Sequence, residues 1–332
     1  MEATSLDELP VGEGWSFEPK WDGFRCVVFK EGKKVELQSK SGQPFNRYFP
    51  EVAEALGRLR PAKFVLDGEL VVPRDNQLSF DDLLQRIHPA ASRVKKLSGE
   101  TPALFIAFDL LVDSRGRALF EHPQEERRAV LEEFAKRAFR DRESVRLSPS
   151  AATLKQASRW WKMVGGNLDG IVAKRSMLPY RFGLRDGMVK VKRRLTADCV
   201  VGGFRYASKS RVVGSLLLGL YDDQGLLHHV GFSSALSVEE RTKLTPKLEK
   251  LIGEPGFTGQ APGGPSRWST KRSSEWEPLK PKLVVEVSYD HFTGGRFRHG
   301  TTLVRWRPDK KPSQCTMDQL AAAENRSLRL LK

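Results

Sequence analysis

Three apolar runs in this chain each carry acids where a buried strand tolerates them poorly. They are Phe64-Val65-Leu66-Asp67-Gly68-Glu69-Leu70-Val71-Val72, then Ala103 to Val112 with Asp109 inside it, then Leu168-Asp169-Gly170-Ile171-Val172-Ala173-Lys174. Continuous apolar runs of this length read as buried strands. A carboxylate within one costs free energy unless it serves a metal, a base or a ligand hydroxyl. Glu69 is on that ground a functional residue. Asp169, an acid beside a glycine at the head of a strand, would make with Glu69 a site for Mg²⁺, which takes oxygen ligands and keeps several waters.

A lysine heads the same part of the chain. Glu18-Pro19-Lys20-Trp21-Asp22-Gly23-Phe24-Arg25 reads as a tight turn between a short strand at Trp15-Ser16-Phe17 and another at Phe24 to Phe29. Gly23 permits a backbone geometry that a Cβ would block. A lysine amine becomes a nucleophile when neighbouring cations or a metal lower its pKa. Arg25 is suited to hold a phosphate or a sugar in its planar fork.

Between these segments, Glu31-Gly32-Lys33-Lys34 reads as a hairpin loop. Ser39-Lys40-Ser41-Gly42 is a small basic turn able to offer Lys40 and backbone N–H groups to a phosphate. Helices are expected over 48–60, stopped by Pro61, from an N-cap at Ser79, over 123–137, and over 150–164 ending at Gly165-Gly166. Phe105 reads as core, and Phe108 as a flat face on which a base can stack. Met188-Val189-Lys190-Val191-Lys192 is a strand with Lys190 and Lys192 on one face, which hold phosphates if that face meets the cleft.

The pattern changes after Arg193-Arg194-Leu195-Thr196-Ala197, which reads as a hinge. Short β runs follow at 198–204, 212–221, 226–232, 283–290 and 301–306, with one helix from a capping box at Ser237-Val238-Glu239-Glu240 to about Lys250. A Gly/Pro-rich loop runs over 253–265. Five short strands with one helix are the pattern of an OB barrel, a nucleic-acid-binding module. Arg305-Trp306-Arg307-Pro308-Asp309-Lys310 concentrates cations near the end, and Thr316-Met317-Asp318-Gln319 caps a last helix.

Composition sets the limits. The 332 residues suffice for two domains. No apolar run reaches membrane-spanning length, and the acidic first residues are unlike a signal peptide. Cys26, Cys199 and Cys315 lie far apart and read as buried thiols of a reducing cytoplasm. No histidine spacing fits zinc, and the pair His228-His229 reads as strand-end surface. The net charge of +15 divides almost evenly between residues 1–196 and 197–332, as expected if a polyanion lies across both.

Taken in order, K-x-D-G-x-R, D-G-E, F-D-L-L, D-G-I-V-A-K, K-V-K and R-W-R-P-D-K resemble the covalent nucleotidyltransferases, specifically the ATP-dependent polynucleotide ligases of the small bacterial ligase C and ligase D-module type. The resemblance spans Glu18 to Lys311. It implies an α+β architecture: a nucleotidyltransferase (ATP-grasp-like) domain of antiparallel sheets and helices at 1–195, then an OB-fold β-barrel at 196–332. It implies an enzyme that seals 3′-OH/5′-phosphate nicks in duplex DNA through a lysyl-AMP intermediate, with ATP and Mg²⁺ (or Mn²⁺) as cofactors. Lys20 matches the nucleophile, Arg25 the arginine near the sugar and 5′-phosphate, Glu69 the ribose or metal carboxylate, and Phe108 the adenine-stacking ring. Glu18 stands at the adenine edge and Asp169 at the metal-binding acid. Lys190 and Lys192 match the α-phosphate lysines, and Arg305, Asp309 and Lys310 the OB-domain motif that orients pyrophosphate. The OB domain would swing about a hinge near Arg194–Asp198.

Three positions depart from the pattern: Asp169 for a glutamate, Lys40 for an arginine and Met188 for a tryptophan. The resemblance also implies a cytoplasmic, nucleoid-associated monomer acting in DNA repair beside primase-polymerase or Ku-type proteins. An RNA ligase, a GTP-dependent capping enzyme and a non-catalytic OB-type binding protein remain the alternatives at this point.

Overall fold

The structure, a computed structural model, describes residues 1–75, 77–139, 144–161, 168–192, 194–208, 210–263, 275–320 and 327–331. It divides into two compact units, Met1–Arg193 with Ala323–Lys332, and Arg194–Ala322.

The first unit is built on two sheets. One has four strands in the order Thr4–Leu6, Met188–Val191, Leu168–Arg175, Trp15–Trp21. The other has five, in the order Lys34–Ser39, Phe24–Glu31, Lys63–Val71, Leu104–Val112, Val145–Leu147. Pairing is antiparallel except at Thr4–Leu6 on Met188–Val191 and Val145–Leu147 on Leu104–Val112. The sheets are antiparallel as expected, apart from those two edge ladders.

Alternation along Phe24–Glu31 decides which face is core. Cys26 and Val28 are fully buried among Phe49, which precedes the helix Pro50–Gly57, and Val52, Leu56, Leu83, Leu131 and Phe134 from the helices Pro50–Gly57, Phe80–Arg86 and Gln124–Ala138. Arg25, Val27 and Phe29 take the opposite face, where the site lies. Ser79 caps its helix by accepting a hydrogen bond from the Asp82 N–H at 3.2 Å. The four-stranded sheet covers a second core of Phe17, Trp21, Trp160, Ile171 and Ala173. Of the helix expected over 150–164, Leu154–Trp161 is helical, and 162–167 lie outside the described residues.

Lys20 is not in a turn. The strand Trp15–Trp21 runs through it, because residues 15–21 pair with Leu168–Arg175 across a register shift at Asp169, Lys20 opposite Gly170. Gly23 earns its place by close approach: a Cβ there would lie 2.2 Å from the Leu70 carbonyl oxygen.

The second unit has OB topology. Its five main strands are Leu195–Ala207, Ser210–Tyr221, Leu227–Ser233, Val284–Tyr289 and Thr302–Trp306. The first pairs with the second and the fourth, the second with the third, and the fourth with the fifth. A parallel bridge between Ser233 and Thr301 brings the third and fifth together and closes the barrel. The helix Val238–Glu249 starts at the expected box, with Ser237 and Glu240 capping each other.

Four expectations change. The hinge proposed over Arg194–Asp198 is mostly strand, since Leu195 pairs with Tyr289 and Asp198 with Glu286. His229 is no surface residue but 3% exposed within its strand. Met317–Leu320 is a short 3₁₀ turn rather than the start of a described helix, and residues 321–326 lie outside the described residues. Residues 327–331 belong with the first unit rather than the barrel, because Leu331 is buried in the core with Phe17 and Val71. Residues 264 and 265 of the Gly/Pro loop also lie outside the described set. Among the described residues no helix is long and apolar enough to cross a membrane.

Candidate active site

Register across the four-stranded sheet lines up Glu18, Val172, Lys190 and Ser5, so these side chains share one face. Lys20 is two residues beyond Glu18 and therefore on the same face. In the five-stranded sheet Arg25 stands opposite Glu69. Together with Phe108, Lys40, Lys174 and Arg185 these residues line one cavity of about 490 Å³. Six of the sequence-derived candidates, Glu18, Lys20, Arg25, Glu69, Phe108 and Lys190, thus meet in one place, with Lys40 at the edge.

Lys20 is held by an acid. Its Nζ lies 2.5 Å from Asp169 Oδ2, and the other Asp169 oxygen receives Lys192 Nζ at 3.0 Å. Burial alone would push the Lys20 pKa down, but the charges of Asp169 and Glu69 outweigh it and hold the amine above its usual range. The expected depression of the Lys20 pKa is therefore absent here, because a carboxylate faces it more closely than any cation. Lys190 goes the other way: burial first, then Lys20 and Lys192, lower its pKa. Glu69 is pushed up to about 8, chiefly by withdrawal from water, which exceeds the opposing pull of Lys20 and Arg25.

Arg25 is spent differently from its expected role. Its Nε and Nη2 form a fork with Asp67 at 3.1 and 2.7 Å, and Nη2 also donates to the Tyr180 hydroxyl at 2.9 Å. Nη1 donates to the Met1 carbonyl oxygen. The bidentate face is thus closed to phosphate, which corrects the reading of Arg25 as a phosphate fork.

Glu18 is 3% exposed and paired with an equally buried Lys174 at 2.8 Å. Lys174 Nζ also donates to the Phe108 carbonyl oxygen at 3.2 Å and lies 4.8 Å from that ring's centroid. The Phe108 ring is half-buried and faces the cavity, whereas Phe105 is fully buried in the core. At the rim, Glu2 joins Lys40 and Arg185, each at 3.1 Å.

Arg305, Asp309 and Lys310 lie in the second unit. Asp198 gathers Arg307 at 2.9 Å and Lys310 at 2.6 Å, Arg307 also pairs with Asp309 at 2.8 Å, and Arg305 pairs with Glu286 at 2.7 Å. The hydrogen bond from Arg307 is the main cause holding Asp309 down to about 2.

Sequence reasoning missed Asp67, Lys174, Tyr180, Arg185 and Glu2. Lys174 had a signal, a lysine closing an apolar strand. Asp67 sat in the D-G-E run beside the acid that drew attention. Tyr180, Arg185 and Glu2 had none, because their partners are remote in sequence.

The arrangement is a half-buried lysine amine in a cavity between cations, acids and an aromatic face. Comparison with known proteins decides the family. Residues 4–192 match the ATP-dependent DNA ligase domain, and residues 209–310 the ATP-dependent DNA ligase C-terminal region. The chain belongs to the ATP-dependent DNA ligases. DNA ligase C1 of Mycolicibacterium smegmatis is 43% identical over 99% of this chain and 95% of its own. DNA ligase C of Mycobacterium tuberculosis is 41% identical over 96% and 92%. A solved Lig E DNA ligase shares the fold, with a TM-score of 0.52 at 16% identity over 92% of this chain and 100% of its own. The protein is therefore an ATP-dependent ligase with a nucleotidyltransferase unit and an OB-fold unit.

Proposed function

We propose that Lys20 is the nucleophile of this ligase and that the cavity around it takes ATP. The observation that carries this reading is the Lys20 amine itself. It lies in the cavity, oriented by Asp169 at 2.5 Å, with Lys192 on the same acid and Lys190 beside them; Asp169 favours the protonated amine in the free chain, so the proton must leave before attack. The freed lone pair attacks the α-phosphorus, forming a P–N bond while the bond to pyrophosphate breaks. The AMP then passes to the 5′-phosphate of a nick, and the 3′-hydroxyl displaces it to join the strand. Each displacement depends on positioning and charge neutralisation, which lysines on a cleft face supply.

In this reading Phe108 stacks on adenine and Glu18 accepts from its exocyclic amine. Lys190 and Lys192 neutralise the α-phosphate, and Lys40 serves phosphate at the rim. For Arg305, Asp309 and Lys310 a role toward pyrophosphate rests on their motif. Glu69 and Asp169 both act on Lys20 and offer oxygen donors of the kind Mg²⁺ or Mn²⁺ takes. Burial pushes Glu69 up to about 8, and a cation beside it would favour its ionised form. Among the described residues no group of three or more His, Cys, Asp or Glu gathers there, so such an ion would complete its shell with water and phosphate oxygens. When bound, it would neutralise charge on the phosphate oxygens. A role in DNA repair is consistent with the M. tuberculosis protein LigD, named for non-homologous end joining, which is 32% identical over 37% of its own length. Ku-type or primase-polymerase partners belong to the same proposal.

The test is incubation with α-labelled ATP and Mg²⁺, followed by a denaturing gel, on protein first stripped of bound AMP with pyrophosphate. The wild type is expected to carry an acid-labile label and to seal a nicked duplex, and Lys20→Ala to do neither. Label retained on Lys20→Ala would remove Lys20 from its role.

A further inference from the structure

Arg25 has five N–H donors, and the fold consumes most of them. Two go to Asp67, one to Tyr180 and one to the Met1 carbonyl. What remains for a ligand is a single N–H on Nη1, on a side chain that lines the Lys20 cavity. Its direction is set by whatever fixes the rest of the guanidinium.

Asp67 fixes one edge, and it is fully buried. Tyr180 closes the arrangement. Its hydroxyl donates to Asp67 Oδ2 at 2.7 Å while accepting from Arg25 Nη2 at 2.9 Å, so it belongs to both partners of the pair. The Tyr180 ring is 7% exposed and is itself held on several sides. The Arg127 guanidinium lies 5.6 Å from its centroid, the Phe182 ring meets it edge-on at 4.8 Å, and the Tyr180 backbone N–H donates to the Phe120 carbonyl oxygen at 2.7 Å. Arg127 in turn forks onto Asp109 at 2.9 Å on both oxygens, and Asp109 follows Phe108. Tyr180 therefore stands between two Arg–Asp forks, a half-buried one aiming Arg25 and a buried one adjoining Phe108.

We propose that Tyr180 is a positioning residue for the ligase reaction: its hydroxyl completes the clamp on Arg25 and so aims the one remaining Nη1 N–H at the bound nucleotide. The proposal rests on the reading that the Lys20 cavity takes ATP. It assigns a function to a loop tyrosine that no strand motif marks.

The experiment is a double-mutant cycle on the rate of lysyl-AMP formation and on nick sealing, using wild type, Tyr180→Phe, Arg25→Gln and the double variant. Losing a hydrogen bond to a charged group corresponds to a fall of about tenfold for Tyr180→Phe. Because Tyr180 acts through Arg25, the double variant is expected to be no slower than Arg25→Gln alone. A merely structural tyrosine would add its loss to that of Arg25→Gln, and that result, or a wild-type rate for Tyr180→Phe, overturns the proposal. Phe182→Leu, a change at a mostly exposed ring that touches Tyr180, serves if Tyr180→Phe does not fold. A rate loss absorbed by Arg25→Gln supports the clamp, and an unchanged rate overturns it. Failure of the wild type itself to form a label would instead sink the reading of Lys20.

Discussion

Glu18 and Lys174 sit 2.8 Å apart with almost no water access, so each needs the other's charge. Lys174→Met would leave the buried Glu18 carboxylate with only Arg128, 4.0 Å away, a loss of about 3 kcal/mol in a denaturant melt. It should also raise the KM for ATP in lysyl-AMP formation, because the acid assigned to the adenine edge loses the partner that orients it. Glu18→Gln combined with Lys174→Met should recover much of the stability and none of the ATP affinity; recovery of both would separate the pair from nucleotide binding. A second residue-scale prediction concerns His229. Burial first, then Arg296 and Arg205, depress its pKa from 6.5 to about 3. The unfolded chain thus binds a proton that the folded chain refuses. Stability from this group is full above pH 6.5 and drains away as the pH falls toward 3, with a slope of up to about 1.4 kcal/mol per pH unit. His229→Gln should flatten the stability curve between pH 4 and 6.5, and an unchanged slope would refute the assignment. Legibility at this scale followed chemistry rather than position. Residues whose type was anomalous for their segment, such as Glu69 in an apolar strand, could be found. Residues ordinary for theirs, such as Tyr180 in a loop or His229 in a strand, could not.

At the scale of elements, register does the arranging. The ladder between Leu168–Arg175 and Met188–Val191 sets Val172 opposite Lys190, and Gly170 lets the next ladder place Lys20 against Asp169. Gly170 has a φ of +148°, and a Cβ there would lie 2.1 Å from the Val191 carbonyl oxygen. Gly170→Ala must therefore push Val191 and the adjoining Lys192 away, and with Lys192 one of the two lysines on Asp169. We expect lysyl-AMP formation to fall by tenfold or more, since catalysis by positioning loses about that much to small displacements. Circular dichroism should meanwhile report a folded chain. A wild-type rate of labelling would show that the spacing of these strands is not critical. The sequence marked each of these strands by its apolar pattern, and the five barrel strands by theirs. It did not mark that Trp15–Trp21 continues through Lys20, because Glu18-Pro19-Lys20 has no strand signature of its own. Pairing with the remote strand Leu168–Arg175 is what extends it.

At the scale of the whole molecule, the chain builds the first unit, leaves it to make the barrel, and returns. The returning turn Ser327–Leu331 brings Leu331, 4% exposed, into the core beneath the four-stranded sheet, with Leu328 and Leu330 packed beside it. Local pattern could not disclose this. Apolar residues at the end of a chain announce that they will be buried but not against which unit, so residues 196–332 read as one continuous barrel domain. The consequence is testable. Leu331→Ala should cost the first unit about 2 kcal/mol, the worth of a buried leucine side chain. A chain ended at Leu320 should lose more, because the whole apolar turn goes. With the two units melting as separate transitions, only the one that carries ATP-protected stability should move, since ligand stabilises the unit that binds it. If the transition insensitive to ATP shifts instead, the C-terminal turn belongs to the barrel, and the division of the chain would have to be redrawn there.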